Sequence, residues 1–125
     1  MKLKLICSPN FTKKTRSSKK IRFIIIHYTG MQSKRVSISR LTNPNSKVSC
    51  HYLIDRRGEI IQMVNDNKIA WHAGKSRWKN LKNLNNNSIG IELVNKGHNL
   101  GYQKFHYKQI NSLTNLCLIL KRKYL

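Results

Sequence analysis

The chain has 125 residues, 39% of them hydrophobic, enough for one domain that buries roughly two-thirds of its unfolded surface. Its 25 lysines and arginines against 4 aspartates and glutamates give a formal charge of +21, which favours anionic partners such as nucleic acid, an anionic membrane surface or an acidic wall polymer. No apolar run approaches the ~20 residues that span a bilayer, and three dispersed cysteines without a C-x-x-C argue against a disulfide framework or a cysteine-rich zinc site.

Residues 1–20 contain "KKTRSSKK" and little apolar pattern. They read as a basic N-terminal arm, partly ordered at most, ahead of a domain over residues 21–125. The opening "MKLKLIC" is too short and interrupted for a secretory signal. As written the chain reads as cytoplasmic; the alternative is the periplasm or cell envelope, if the natural N-terminus has been lost. Lys, Asn and Ile are abundant together, so compositional bias competes with function as the source of the charge.

"IRFIIIH", residues 21–27, reads as a central strand covered on both faces, because its β-branched run is nearly continuous. Residues 33–41 suit a short helix that "TNPNSK" ends. "CHYLID" (50–55) and "EIIQMV" (59–64) flank "RRG" and predict a hairpin. Residues 65–87 read as a long loop, of the kind that is usually functional or disordered. "SIGIELV" (88–94) is a further strand. Residues 105–124 predict a helix whose apolar stripe is Ile110, Leu113, Cys117 and Leu120. The order predicts an α/β domain: a central mixed sheet flanked by helices. A helix packed on a sheet is normally followed by another strand, so the chain reads as cut short after its last helix.

Glu92 is one of two glutamates. Alternation puts Ile89, Ile91 and Leu93 on one face of its strand and Gly90, Glu92 and Val94 on the other. A buried carboxylate needs a partner or a raised pKa, and the latter suits a general base. His27 ends its strand, where α/β sheets commonly bind ligands; it reads as a metal ligand or as a structural histidine. His51 in "SCHYL" and His72 in "AWHAG" line the same cleft or serve as hydrogen-bonding structural residues. Trp71 and Trp78 flank the loop glycine Gly74. No phosphate loop, nucleophile elbow or H-E-x-x-H is present.

"IIIHYTG", "SCHYLIDRRGEIIQMV", "AWHAGKSRW" and "LNNNSIGIELVNKG" occur in this order. Together they resemble the zinc-dependent N-acetylmuramoyl-L-alanine amidases of the type-2 family, which share a fold with peptidoglycan recognition proteins and phage T7 lysozyme. The resemblance implies His27 as a zinc ligand and Glu92 as the catalytic glutamate. It implies Trp71, His72, Ala73 and Gly74 as residues lining a substrate cleft, to which the reading of the residues adds His51 as a substrate-binding candidate. The implied partner is peptidoglycan or a muropeptide; no specific nucleic acid is expected, since the charge comes without a recognition motif or an arginine-aromatic stripe. The implied reaction is hydrolysis of the amide between the lactyl group of N-acetylmuramic acid and L-alanine. The family's last strand and its motif carrying the remaining zinc ligands have no counterpart. The resemblance therefore implies an inactive or impaired fragment with incomplete zinc binding; the alternative is a non-catalytic muropeptide-binding module.

Overall fold

Strand-forming runs and short turns set the element order. In the computed structural model, which describes residues 2–101 and 103–125, β1 (Leu3–Leu5) and β2 (Phe11–Thr12) precede β3 (Phe23–Tyr28). Next comes α1 (Lys34–Thr42). Ser33 caps it by accepting the Val36 N–H at 3.2 Å. The strands β4 (Tyr52–Ile54) and β5 (Ile60–Gln62) form the expected antiparallel hairpin. At its turn the Asp55 carboxylate accepts the Arg57 and Glu59 N–H groups at 3.0 and 2.8 Å. Gly58 takes the positive φ (86°) the turn requires.

The segment expected to be a long loop contains β6 (Ile69–Ala70) and a small hairpin of β7 (Arg77–Trp78) and β8 (Leu81–Lys82). Then come β9 (Ser88–Leu93) and α2 (Tyr107–Tyr124). The main sheet has the order β1-β5-β4-β9-β3. Only the β4–β5 pair is antiparallel; β1–β5, β4–β9 and β3–β9 are parallel. The fold is thus mixed α/β, as expected.

The two faces of β9 sort as alternation predicts. Ile89, Ile91 and Leu93 join Tyr52, Ile54 and Ile60 beneath α2. Val94 joins Leu53, Ile61, Met63 and Leu41 of α1 on the other face. The stripe α2 buries differs from expectation. Gln109, Leu116 and Leu120 are buried and Leu113 and Cys117 partly so, whereas Ile110 faces outward. Gln109 replaces it because its Nε2 donates to the Ile54 and Val94 carbonyls, both at 3.0 Å, closing two strand ends.

Two expectations are corrected. The 21–27 strand is not central: β3 runs from Phe23 to Tyr28 at the sheet edge, with Ile26 48% and Tyr28 51% exposed. Of its isoleucines, Ile24 packs against the core beneath α2, and among the described residues no strand pairs with its outer side. Nor is 1–20 a loose arm. β1 adds a parallel strand to β5, and β2 pairs with β6. Ser8, Asn10 and Arg16 are buried. Charge-rich composition hid this, because the anchoring is done by polar side chains on backbone groups.

Arg16 carries most of it. Its guanidinium donates to the carbonyls of Asp66, Asn85, Asn86 and Ser88 at 2.7 to 3.1 Å. It thereby ties the N-terminal segment, the 65–87 segment and the start of β9 together. Burial pulls its pKa below the usual arginine value. Arg16→Ala would strand these carbonyls. Unpaired buried polar groups cost about 1–3 kcal/mol each before relaxation and hydration, so urea unfolding is expected to show a loss of about 2–4 kcal/mol. A loss below about 0.5 kcal/mol, the range of ordinary surface changes, would show the clasp to be incidental.

Candidate active site

Parallel register brings the two singled-out residues together. His27 of β3 is the Cα partner of Glu92 of β9. Paired positions of neighbouring strands share a face, so both side chains leave the sheet on the side that α1 partly covers. They stand near the carboxyl ends of these strands.

Glu92 has a buried carboxylate oxygen, Oε2, without a hydrogen-bond partner among the described residues. Loss of solvent alone lifts its pKa from 4.5 to about 7. The other carboxylates are engaged. Lys34 holds Asp55 and Glu59 at 2.9 and 2.8 Å. Asp66 accepts the Tyr52 and Tyr124 hydroxyls, each at 2.7 Å. Glu92 is thus the carboxylate left for chemistry. It lines a cavity of about 170 Å³ with Trp71, His72, Thr29, Met31 and Arg40.

His72 reaches this cavity because residue 90 is glycine. A Cβ there would overlap the imidazole. The ring lies between two partners: Nδ1 is 3.0 Å from His27 Nε2, and Nε2 is 3.0 Å from Ser88 Oγ. Burial holds its pKa at about 3 and lowers that of His27. Both rings are therefore neutral near pH 7, and the pair shares a single N–H between facing nitrogens. Asn85 fixes the segment by accepting the His72 and Ala73 N–H groups at 3.2 and 2.8 Å. Trp71 donates its backbone N–H to Ser49 Oγ and its indole N–H to Thr12 Oγ1, at 2.9 and 3.1 Å.

Trp71, His72 and Glu92 therefore share one cavity, with His27 hydrogen-bonded behind it. Ala73 and Gly74 do not line it; Gly74 supplies a positive φ (59°) in the following turn. His51 does not reach it, which corrects its expected place among the cleft residues. It is 0% exposed. Its Nδ1 accepts the Gly90 N–H at 3.0 Å, so the ring proton sits on Nε2 and is donated to the Lys68 carbonyl at 2.9 Å. Burial lowers its pKa to about 4 and keeps it neutral. His51 supports the floor of the site from behind His72, the ring centroids 6.0 Å apart. Trp78 is 56% exposed on the β7–β8 hairpin, outside the cavity. Sequence reasoning missed Ser88, Asn85 and Arg40. The "NNNS" run before β9 offered a polar cluster as the only signal for the first two.

His27 and His72 bring two nitrogens close together, but among the described residues no group of three His, Cys, Asp or Glu stands together to hold an ion.

The profile of the family described as N-acetylmuramoyl-L-alanine amidase matches residues 17–125. The chain is 39% identical over 85 residues to the N-acetylmuramoyl-L-alanine amidase AmiD of Escherichia coli (strain K12), covering 62% of this chain and 30% of that protein. It is 45% identical over 69 residues to the 1,6-anhydro-N-acetylmuramyl-L-alanine amidase AmpD of Citrobacter freundii, covering 55% and 36%. Among solved structures it superposes on AMPDH3 of Pseudomonas aeruginosa with a TM-score of 0.79 and 30% identity, over 95% of this chain and 52% of that one. It superposes on E. coli AmiD, solved with the substrate anhydro-N-acetylmuramic acid-L-Ala-D-gamma-Glu-L-Lys, with a TM-score of 0.76 and 31% identity, over 90% and 47%. The chain thus spans about a third of the length of the curated relatives named.

Two outcomes are expected from this geometry. The folded protein holds the Glu92 proton up to about pH 7, while the unfolded chain releases it near 4.5. Stability from this group is present below 4.5 and is lost as pH rises to 7, by up to about 3 kcal/mol. His51 and His72, held neutral, contribute the opposite slope below 6.5. The test is therefore the difference between parent and Glu92→Gln in urea unfolding, which should shift in favour of Gln between pH 5 and 8. A pH-independent difference would mean that Glu92 titrates normally. Separately, Gly90→Ala should destabilise by about 1–3 kcal/mol through overpacking and move His72 off His27. Nitrogen chemical shifts of the His27 ring that stay at parental values would contradict that packing.

Proposed function

The chain belongs to the N-acetylmuramoyl-L-alanine amidase family, and from that premise we propose that it acts on muropeptides at the amide between the lactyl group of N-acetylmuramic acid and L-alanine. The observation that carries this is a buried carboxylate oxygen with no hydrogen-bond partner among the described residues. Glu92 stands in register with His27, with one oxygen buried and partnerless, in a cavity large enough for an amide group. A carboxyl group with a pKa of about 7 can take a proton from water and hand it to a leaving amine at neutral pH. Trp71 offers an aromatic wall, and the neutral His27–His72 pair offers an N–H or a lone pair but no competing charge.

The family generally depends on zinc, which when bound lowers the pKa of a water and polarises the carbonyl. His27 is the residue by which this chain would contribute to holding it. The described residues do not complete such a site. A catalytic zinc takes three protein ligands, no group of three is present among those residues, and His72 has its second nitrogen on Ser88. This ligand set favours a second reading, in which the cleft binds muropeptide without cleaving it.

Incubation with N-acetylmuramyl-L-Ala-D-γ-Glu-L-Lys, followed by mass spectrometry of the released stem peptide, separates the two. The amidase reading expects release that a chelator abolishes. Glu92→Ala should lower it by at least about 10²-fold, the lower end of what acid–base catalysis contributes. Perturbation of the Trp71 indole resonance without any release favours the binding reading. No perturbation and no release would remove both.

A further inference from the structure

The cavity at Glu92 is not closed. Thr29, Met31 and Arg40 line it and also line a groove of about 1110 Å³ that runs along the outer face of α1. Arg35, Ser39, Asn43 and Asn45 continue that groove. Its character is cationic and hydroxyl- or amide-rich. Neither Arg35 nor Arg40 has an ion-pair or hydrogen-bonding partner for its guanidinium among the described residues. No carboxylate offsets them: Asp55 and Glu59 are held by Lys34, Asp66 by two tyrosines, and Glu92 shows no shift from a neighbouring cation. The contrast with Arg16, whose donors are spent on carbonyls, and Arg56, which donates to the Lys104 carbonyl, marks Arg40 as free to bind.

We propose that Arg40 is a specificity-determining residue that receives a carboxylate of the bound peptide, with the α1 groove, Arg35 included, taking the residues beyond it. This rests on the muropeptide reading above and names the part of the substrate recognised. In a stem linked through the γ-carboxyl of D-glutamate, the α-carboxylate of that residue stays free. It follows the L-alanine directly, so it lies about 6 Å from the scissile nitrogen in an extended chain. Glu92 and Arg40 line the same 170 Å³ cavity, which a separation of that order fits. A guanidinium binds a carboxylate through two parallel N–H bonds, and an α-amide in its place would lose both the charge and one acceptor. The groove beyond is large enough for the following residues; ligand sites commonly measure about 300–1,000 Å³.

The test compares two synthetic probes, N-acetylmuramyl-L-Ala-D-γ-Glu with a free α-acid and the same compound with an α-amide. Affinities are measured by calorimetry, and binding at the cleft by the Trp71 indole resonance, in Glu92→Gln protein so that the probe is not consumed. The expected result is that the acid binds about tenfold more tightly than the amide. That ratio should fall to about one in Arg40→Ala, recover in part in Arg40→Lys, and persist in Arg122→Ala, which removes an exposed charge at the far end of α2. Acid and amide binding equally, with Trp71 perturbed by both, would overturn the Arg40 assignment and leave the amidase or binding reading in place. The same loss in Arg122→Ala as in Arg40→Ala would also overturn it, since bulk positive charge would then explain the preference. If neither probe perturbs Trp71, the muropeptide reading fails and the assignment fails with it.

Discussion

Six consecutive parallel pairs between β3 and β9, from Phe23–Ser88 to Tyr28–Leu93, are the constraint on which the site depends. A slip of one residue would turn His27 to the opposite face from Glu92 and bury the wrong isoleucines. The register is protected by packing: Ile24 packs with Ile89, Ile91 and Leu93 beneath α2. The same ladder puts Gly90 two residues before Glu92, on the face where the His72 ring needs room. Strand pairing thus determines a carboxylate, a histidine and the gap for a second histidine in one step.

The rest of the site is held by polar side chains spent on backbone. Arg16 binds four carbonyls, Asn85 holds two N–H groups of the Trp71–Ala73 segment, and Ser49 joins Trp71 to the Asn10 carbonyl. These bonds let a 23-residue segment with little regular structure (65–87) keep a fixed path, because buried backbone groups must find partners. They also make the N-terminal residues part of the site's foundation, although they touch no candidate catalytic group.

Charge is distributed unevenly for a reason that burial explains. A net +21 repels itself, and three of the four carboxylates offset structure rather than bulk charge. Two clamp Lys34 at the β4–β5 turn, and Asp66 ties the end of α2 to Tyr52. Glu92 is then a lone acid in a poorly solvated wall, which is why its pKa rises instead of being held down by a cation. An excess of unpaired arginine on the adjoining groove is the complementary half of that arrangement.

Periodicity determined a great deal. The hairpin, both helices and the two faces of β9 were legible, because alternation and turn chemistry act over a few residues. The ordered motifs around His27, Trp71–Gly74 and Glu92 were also legible as a family pattern. What only the tertiary structure decided depends on contacts distant in the chain. Residues 1–20 looked like a solvated arm, yet Arg16 is buried by carbonyls 50 to 72 positions away. The 21–27 run looked like a central strand, yet β3 lies at the sheet edge with Ile26 48% exposed, since a β-branched run reads alike in central and edge strands. His51 and His72 were indistinguishable as letters; the register that gives one the Gly90 N–H and the other the space above Gly90 makes the first a buried support and the second a wall of the cleft. Hydrogen-bond partners are chosen by three-dimensional proximity, and a local pattern of residue types carries no record of that choice.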